Sequence, residues 1–516
     1  MQTYSANDDM NSYQINNICE RPLTYPETSM LPATFKVLAL SLAVLIYTML
    51  FLDLLTNTLG LVAYSLLLVV YLYAECRNLW IREKKLFWIN PVVLASIFTF
   101  VMAFGVSNVL YFFPEDVVDL VGLSPIVTPW MNQLMLLVVL GAVSMWVGYS
   151  SGIGRRMGMM LQRSRVLGKW MSPSFRVNRP VLFSCLAISL MAKLVAIKLG
   201  VYGYSSTFDQ LMSAASYSQY LNLADSLGKL ALLGIALQCF AFQGSTIADR
   251  YLLWLVLGYE IIFGFLSGMK SSVVMPVILV GIVYYSQRGR FPRWLIPSVV
   301  VGLMAAYAAI EPFRDERYAN VGFVGTSLGS IVTTMTRARN VNANKGGEGD
   351  STPLKILARL NLTYIGSLGL EFAANHKELP RGSPAFLNDI ILAPAHALVP
   401  RFLWNSKPLN TIGLWYTNQV VGFDHYTSTA MSPFTYLNFV GGPLAVIFGF
   451  LLVGILQRGL FDGLCHFGGG GLIVLLGLLG TLVDINSAFN SFFISLIRFP
   501  PILVVAQFVL LQRSRR

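Results

Sequence analysis

Charge is what this sequence has least of. Asp, Glu, Lys and Arg make up 12% of its 516 residues, where soluble globular domains carry about 25%, while hydrophobic residues make up 55%. A chain so composed cannot cover itself with a solvated surface, which excludes an ordinary soluble enzyme. Cysteine and histidine are scarce too, at five and four residues. Cys19, Cys76, Cys185, Cys239 and Cys465 all fall outside the long polar stretch from Glu311 to Ser432, so no disulfide framework is expected there. There is no Gly-x-x-x-x-Gly-Lys-Ser/Thr loop, which leaves ATP hydrolysis without a visible site. An Asp-x-Asp pair is missing, as is any His, Cys and carboxylate cluster at ligand spacing, and both absences disfavour a metal-dependent transferase. No small-residue cleavage site follows the first apolar run, so that run reads as a retained anchor.

What the sequence does have is long apolar runs. About twelve stand out, near 37–54, 59–74, 91–113, 130–150, 180–199, 227–243, 251–268, 273–285, 295–310, 433–456, 470–484 and 497–511. A bilayer core of about 30 Å is crossed by about 20 helical residues, and irregular backbone cannot face lipid. The expected fold class is therefore an all-α polytopic membrane protein of about twelve transmembrane helices, the eighth and the last two being the shortest.

The net charge of +12 does not point to nucleic acid, because its distribution follows the loops. Segments 1–36, 75–90, 151–179, 244–250, 286–294, 457–469 and 512–516 hold 21 of the 37 Lys and Arg, and the short loops between them hold almost none. Positive charge retained on the cytoplasmic side orients membrane helices. Both termini are then inside, as a tail over 1–36 and a short end over 512–516, with helices over 37–310 and 433–511. Residues 311–432 form one large outer loop, in which 11 Lys and Arg face 9 Asp and Glu. No inner segment exceeds 36 residues, which leaves no room for a soluble nucleotide-sugar domain. The basic loop 151–179 reads as a topology determinant lying on anionic lipid head groups.

Charges inside spans are costly and need partners. Lys193 and Glu260, in the fifth and seventh spans, are expected to pair across the bundle, as a structural pair or as a substrate or proton site. Asp53, Lys198, Lys229, Lys270, Asp484 and Arg498 fall near outer span ends and outline a polar vestibule. In the loop, Arg314 and Arg317 share one face if the ninth helix continues. Ser351-Thr352-Pro353 has the form of a helix start, and Leu357, Leu360, Tyr364, Leu368 and Phe372 then recur at helical spacing. An amphipathic helix over 354–372 is expected on the vestibule.

Any transfer reaction at this loop must take an already activated donor from the membrane, and a lipid diphosphate is such a donor. Its leaving group develops negative charge that arginine forks can stabilise without a metal. Arg314, Arg359 and Arg401 are the candidate catalytic cations, with His425 as the candidate base just before the tenth span. Arg317, Lys407, Tyr426, Tyr436 and Arg498 are the candidate substrate-binding residues. The plainer alternatives are an Arg314 paired with Glu311, an Arg359 snorkelling to lipid head groups, a solvated Lys407 and a structural His425.

Ala358-Arg359-Leu360-Asn361, the run Val399-Pro400-Arg401-Phe402-Leu403-Trp404-Asn405-Ser406-Lys407-Pro408, and Ser432-Pro433-Phe434-Thr435-Tyr436-Leu437-Asn438-Phe439-Val440-Gly441-Gly442 resemble the bacterial O-antigen or oligosaccharide repeat-unit polymerases. The resemblance covers the last third of the chain, and the first 300 residues only by layout. It implies a GT-C-type glycosyltransferase of the inner membrane with a large periplasmic loop and no cofactor. It further implies that a growing glycan leaves one undecaprenyl diphosphate and joins the sugar of a second lipid-linked repeat unit, with a chain-length regulator as a possible partner. The chain departs from the related O-antigen ligases, since Tyr426 follows His425 where they pair His with Asn. A ligase remains an alternative, and so does a lipid-linked oligosaccharide flippase, although no internal repeat of the kind transporters carry is visible.

Overall fold

The structure, a computed structural model, describes residues 32–83, 86–113, 124–171, 174–203, 215–241, 245–319, 352–376, 383–399, 403–404, 407, 412–422, 429, 431–486 and 489–512. Among these, regular structure is helical apart from one isolated bridge between Val177 and Leu511. In chain order the helices are α1 (Ala33–Phe51), α2 (Asn57–Arg82), α3 (Pro91–Phe112), α4 (Pro129–Ser150), α5 (Gly152–Arg163), α6 (Arg165–Trp170), α7 (Arg179–Lys198), α8 (Ala215–Ala241), α9 (Ile247–Leu266), α10 (Lys270–Arg288) and α11 (Leu295–Ala319). They continue as α12 (Thr352–Leu360), α13 (Thr363–Asn375), α14 (Phe386–Ile391), α15 (Ala393–Leu398), α16 (Ile412–Tyr416), α17 (Pro433–Cys465), α18 (Gly468–Val483) and α19 (Phe489–Leu510).

Among the described residues, eight helices are long and apolar enough to cross a membrane: α1 to α4, α7, α8 from Tyr220 onward, α17 and α19. The chain is thus a multi-pass helical membrane protein. The other four apolar segments are also helical, but they differ in kind. Ile247–Leu266 carries Asp249, Arg250 and Glu260, Lys270–Arg288 carries charge at both ends, and Leu295–Ala306 and Gly468–Val483 are short.

The chain divides into two compact units. One comprises residues 1–169, 351–400 and 410–500, and the other residues 170–350, 401–409 and 501–516. The polar loop is therefore shared between two bodies, which its sequence did not reveal.

The first unit is built on the crossing of α4 and α5 with α17. Glycine supplies the close approach: a Cβ at Gly148 would overlap the Leu451 carbonyl, and one at Gly454 the Met145 carbonyl. The seam continues where Gly154 and Gly158 of α5 face Arg458 and Asp462, and Gly459 and Gly463 receive Met157 and Leu161. Small residues that let backbones touch are the usual means of joining helices in lipid, where no hydrophobic force separates partner from solvent. Gly454→Ala should force the two helices apart and cost about 1–3 kcal/mol, read as a lower melting temperature of the purified protein in lipid nanodiscs. An unchanged melting temperature would show that the seam is looser than the glycines require.

Above this seam, Phe434 stacks on Phe450 at 4.6 Å, and Phe100 meets both edge-on at 5.6 Å. Helix α17 is broken after its second turn. Gly441 has φ −176° and ψ 33°, and Gly442 has φ +65° and ψ −156°, a region essentially closed to residues with a Cβ. Helix α3 changes from α to a wider π-turn over Ser96–Gly105 and ends as a 3₁₀ helix over Val106–Phe112, which brings Ser107 and Asn108 inward.

The second unit packs α7, α8, α9 and α10 against one another. Thr246 and Asp249 form a reciprocal cap at the start of α9, and Arg179 bonds the same carboxylate at 2.8 Å. The end of α19 is tied to the entry of α7, with Asn178 N–H donating to the Leu510 carbonyl and Gln512 N–H to that of Arg176, both at 2.8 Å.

Candidate functional site

The sequence spacing predicts one amphipathic helix over 354–372. The structure has two, α12 and α13, broken at Asn361. The asparagine is the cause. Its Oδ1 accepts from the backbone N–H of Thr363 at 3.1 Å and of Tyr364 at 3.3 Å, so it starts a new helix where the periodicity alone would continue the old one. Its Nδ2 donates to Asn108 Oδ1 at 2.9 Å and Ser107 Oγ at 3.3 Å, and Leu362 N–H reaches the Ala103 carbonyl. Asn361 is buried, and it pins the turn to the end of α3. Arg359, two residues before it, is exposed on α12.

The residues around Ser432 hold the next piece in place. Thr435 Oγ1 donates to the Gly366 carbonyl of α13 at 2.9 Å, Tyr416 Oη to the carbonyl of Ile365, and Tyr436 Oη to the carbonyl of Phe386 at 3.0 Å. The motif that carries the family resemblance thus works, among other things, as a set of clamps. Phe434 faces the core, Thr435 holds α13, and Tyr436 holds α14. Tyr436 is fully buried with its hydroxyl engaged, so it supports a site and does not line one.

What Tyr436 supports is an aromatic wall beside a charged group. Phe386 stacks on Phe439 at 4.9 Å and meets Trp415 at 5.7 Å, Trp415 meets Phe439 at 6.1 Å and Phe372 at 5.9 Å, and His376 stacks on Phe372 at 4.1 Å. Phe386 is buried, Trp415, Phe439 and Phe372 are half-buried, and His376 is exposed. A partly open wall of this kind offers flat apolar faces to a ring with axial C–H bonds. Next to it in the chain, α14 and α15 bring Asp389 within electrostatic reach of buried His396. Burial pushes the Asp389 carboxyl above the usual carboxylate range, against the pull of His396. Arg498, from α19, donates through Nε to the Ala397 carbonyl at 3.3 Å and through Nη2 to the His396 carbonyl at 3.0 Å. A guanidinium on the last carbonyls of a helix is a C-terminal cap, and it leaves Nη1 and one Nη2 hydrogen for another acceptor.

The nine sequence candidates divide as the chain does. Arg359, Tyr436 and Arg498 are described in the first unit, whose ranges also include His425 and Tyr426. Arg314, Arg317, Arg401 and Lys407 belong to the second. Arg401, His425 and Tyr426 lie outside the described residues. Helix α11 continues to Ala319 and so includes positions 314 and 317. Lys407 is 6% exposed, so its alternative reading as a solvated charge does not hold. Sequence reasoning missed His396, Asp389 and Trp415 as candidates. His396 had a signal, being one of three histidines in the polar stretch, but residue spacing gives no reason to join it to Arg498, 102 positions away.

Comparison with family models, with curated proteins and with solved structures returns no match.

Proposed function

We propose that the chain is a glycosyltransferase that polymerises undecaprenyl-diphosphate-linked oligosaccharide repeat units on the periplasmic face of the bacterial inner membrane, with the GT-C-type architecture its motifs resemble. The observation that carries this reading is the gathering, within one compact unit, of Arg498, the His396 and Asp389 pair and the half-open aromatic wall of Trp415, Phe439 and Phe372. The wall takes sugar rings, Arg498 offers its remaining hydrogens to the diphosphate, and the imidazole with its carboxyl can take the proton of an acceptor hydroxyl. Arg314, Arg359 and Arg401 remain candidate anchors for the leaving group. The donor and the acceptor both arrive through the membrane, and the face is set by the basic residues of alternate loops.

The second reading is a transporter of the same lipid-linked oligosaccharides. It is favoured by one observation, the charges of Lys193, Asp225 and Glu260 gathered in helices of the second unit. Deleting the gene separates the readings. Surface polysaccharide reduced to a single repeat supports the polymerase, whereas loss of any outer-face intermediate supports the transporter, and loss of capping alone supports a ligase. With purified protein and lipid-linked repeat units, elongation should proceed in excess EDTA, because the chain has no Asp-x-Asp and relies on cationic side chains. Activity abolished by EDTA and restored by magnesium or manganese would overturn metal-independent transfer.

A further inference from the structure

Helix α18 is 16 residues long, about 24 Å at 1.5 Å per residue, which falls short of a bilayer core of about 30 Å. It folds back along α17. A Cβ at Gly471 would overlap the Leu464 carbonyl, and near the far end of α18 Gln457 Nε2 donates to the Leu482 carbonyl at 2.8 Å. The last carbonyl of the helix, that of Val483, accepts from Thr99 Oγ1 of α3 at 2.6 Å. Thr99 precedes Phe100, whose ring meets Phe434 and Phe450 where both pack on Gly141, in the middle of α4. Helix α18 therefore ends inside the helical bundle of the first unit.

What gathers at that end is electronegative. The C-terminus of a helix carries the negative end of its macrodipole, where an anionic side chain is unfavourable. Asp484 nevertheless stands there as the C-cap, its N–H on the Gly480 carbonyl at 2.9 Å and its side chain exposed. The chain then turns tightly, with Ile485 N–H on the Val483 carbonyl at 3.1 Å, and the backbone N–H of Asn486 lies against the Asp484 carboxylate. Asn486 Oδ1 is buried and accepts no hydrogen bond. Gln457 is fully buried, and because its Nε2 is held on Leu482, its Oε1 lies beside the helix end as well, buried and without a donor.

No cationic side chain answers these oxygens. Among the described residues Asp484 makes no ion pair. Arg458, next to Gln457 in the chain, bonds Asp462 at 2.6 Å, lies 3.6 Å from Glu83 and donates to Tyr149 Oη at 3.2 Å. A carboxylate at membrane depth without a counter-charge is costly, and so is a buried acceptor without a donor.

We propose that the end of α18 is a binding site for a monovalent metal cation of sodium size, held by the Asp484 carboxylate, Gln457 Oε1 and Asn486 Oδ1. Hard oxygen ligands suit such an ion, and one carboxylate balances one positive charge where a divalent ion would keep an uncompensated charge out of water. Helices that stop inside a membrane bundle offer their C-terminal ends to sodium for the same electrostatic reason. The ion neutralises the end of α18 and joins α17 and α18 to the chain that enters α19. The site uses none of the residues assigned to glycosyl transfer, and EDTA does not withdraw a monovalent ion, so its test is separate from that of the polymerase reading.

The test uses the full-length protein in lipid nanodiscs, exchanged into choline chloride and titrated with sodium chloride at constant ionic strength. The melting temperature should rise along a saturable curve, by about 2 °C or more at the plateau. Bound radioactive sodium should follow the same curve. Asp484→Asn and Gln457→Leu should each weaken sodium binding at least about tenfold. Gln457→Leu also removes the donor to Leu482, so Asn486→Ala, which removes no bond of α18, should show the same weakening in a chain that folds as before. Asp53→Asn, between α1 and α2, should leave the curve unchanged. Equal melting in sodium and choline with no saturable sodium binding would overturn the proposal and leave Gln457 Oε1 to a buried water. Sodium binding that Asp484→Asn leaves intact would overturn it too, and a rise produced by magnesium but not by sodium would do so in favour of a divalent site.

Discussion

Asn361→Leu should lower the stability of the protein by about 3 kcal/mol or more and, if the chain is the polymerase proposed above, abolish polymer formation. Leucine has the branched outline of asparagine and is the larger of the two, so the cost does not come from a cavity. It comes from orphaned groups: the N–H of Thr363 and Tyr364 lose their acceptor, and Asn108 Oδ1 and Ser107 Oγ lose their donor. Each buried polar group left without a partner costs about 1–3 kcal/mol. Asn361→Asp restores the acceptor for α13 and loses only the donor to α3, so it should fall between the leucine variant and the wild type. Thermal unfolding in nanodiscs measures all three. A leucine variant that melts with the wild type would show that α12 and α13 are held by packing alone, and that the turn at Asn361 is dispensable.

Arg498→Ala should lose about 100- to 1000-fold in elongation rate per folded molecule, the usual effect of removing one donor that stabilises a developing negative charge. Its stability should fall by only about 1 kcal/mol, the worth of a cation on the last carbonyls of a short helix. The two roles thus separate by readout. Arg498→Lys retains the charge but not the fork, and at a diphosphate the two are not equivalent, so it should recover stability and little of the rate. Near-wild-type elongation by Arg498→Ala, with the melting temperature lowered as expected, would reduce Arg498 to a helix cap and return the leaving group to Arg314, Arg359 and Arg401. The comparison is informative because Arg498 donates to two carbonyls of the segment carrying His396.

Several features were legible in the residues. The apolar segments are helices because each unpaired backbone group in hydrocarbon costs several kcal/mol, a constraint that acts on any run of that length and composition. The pairing of Lys193 with Glu260 was legible for the same reason, since a charge in a span must find an opposite charge. Asp225 was not read as its third member. It belongs to a third helix, α8, and only the packing of α8 on α7 and α9 decides which further carboxylate lies within 3.4 Å of Lys193.

The loop was less legible. Leu357, Leu360, Tyr364, Leu368 and Phe372 keep a helical period straight through the break, because α12 and α13 bury residues at similar spacing on each side of it. Only the hydrogen bonds of Asn361 to α3 reveal that the chain turns there. Tyr436 read as a ligand-binding residue from its place in a motif, and the structure spends its hydroxyl on the Phe386 carbonyl, 50 residues away.

The sequence by itself determined the membrane class and the positions of the apolar segments, because both follow from local composition and the demand of each backbone segment for its own hydrogen bonds. The tertiary structure alone decided the division of the polar loop between two units, the glycine seam of α4, α5 and α17, and the meeting of Arg498 with His396. Each of these depends on contacts between residues tens to hundreds of positions apart, and the energy of such a contact leaves no period or spacing in the chain that makes it.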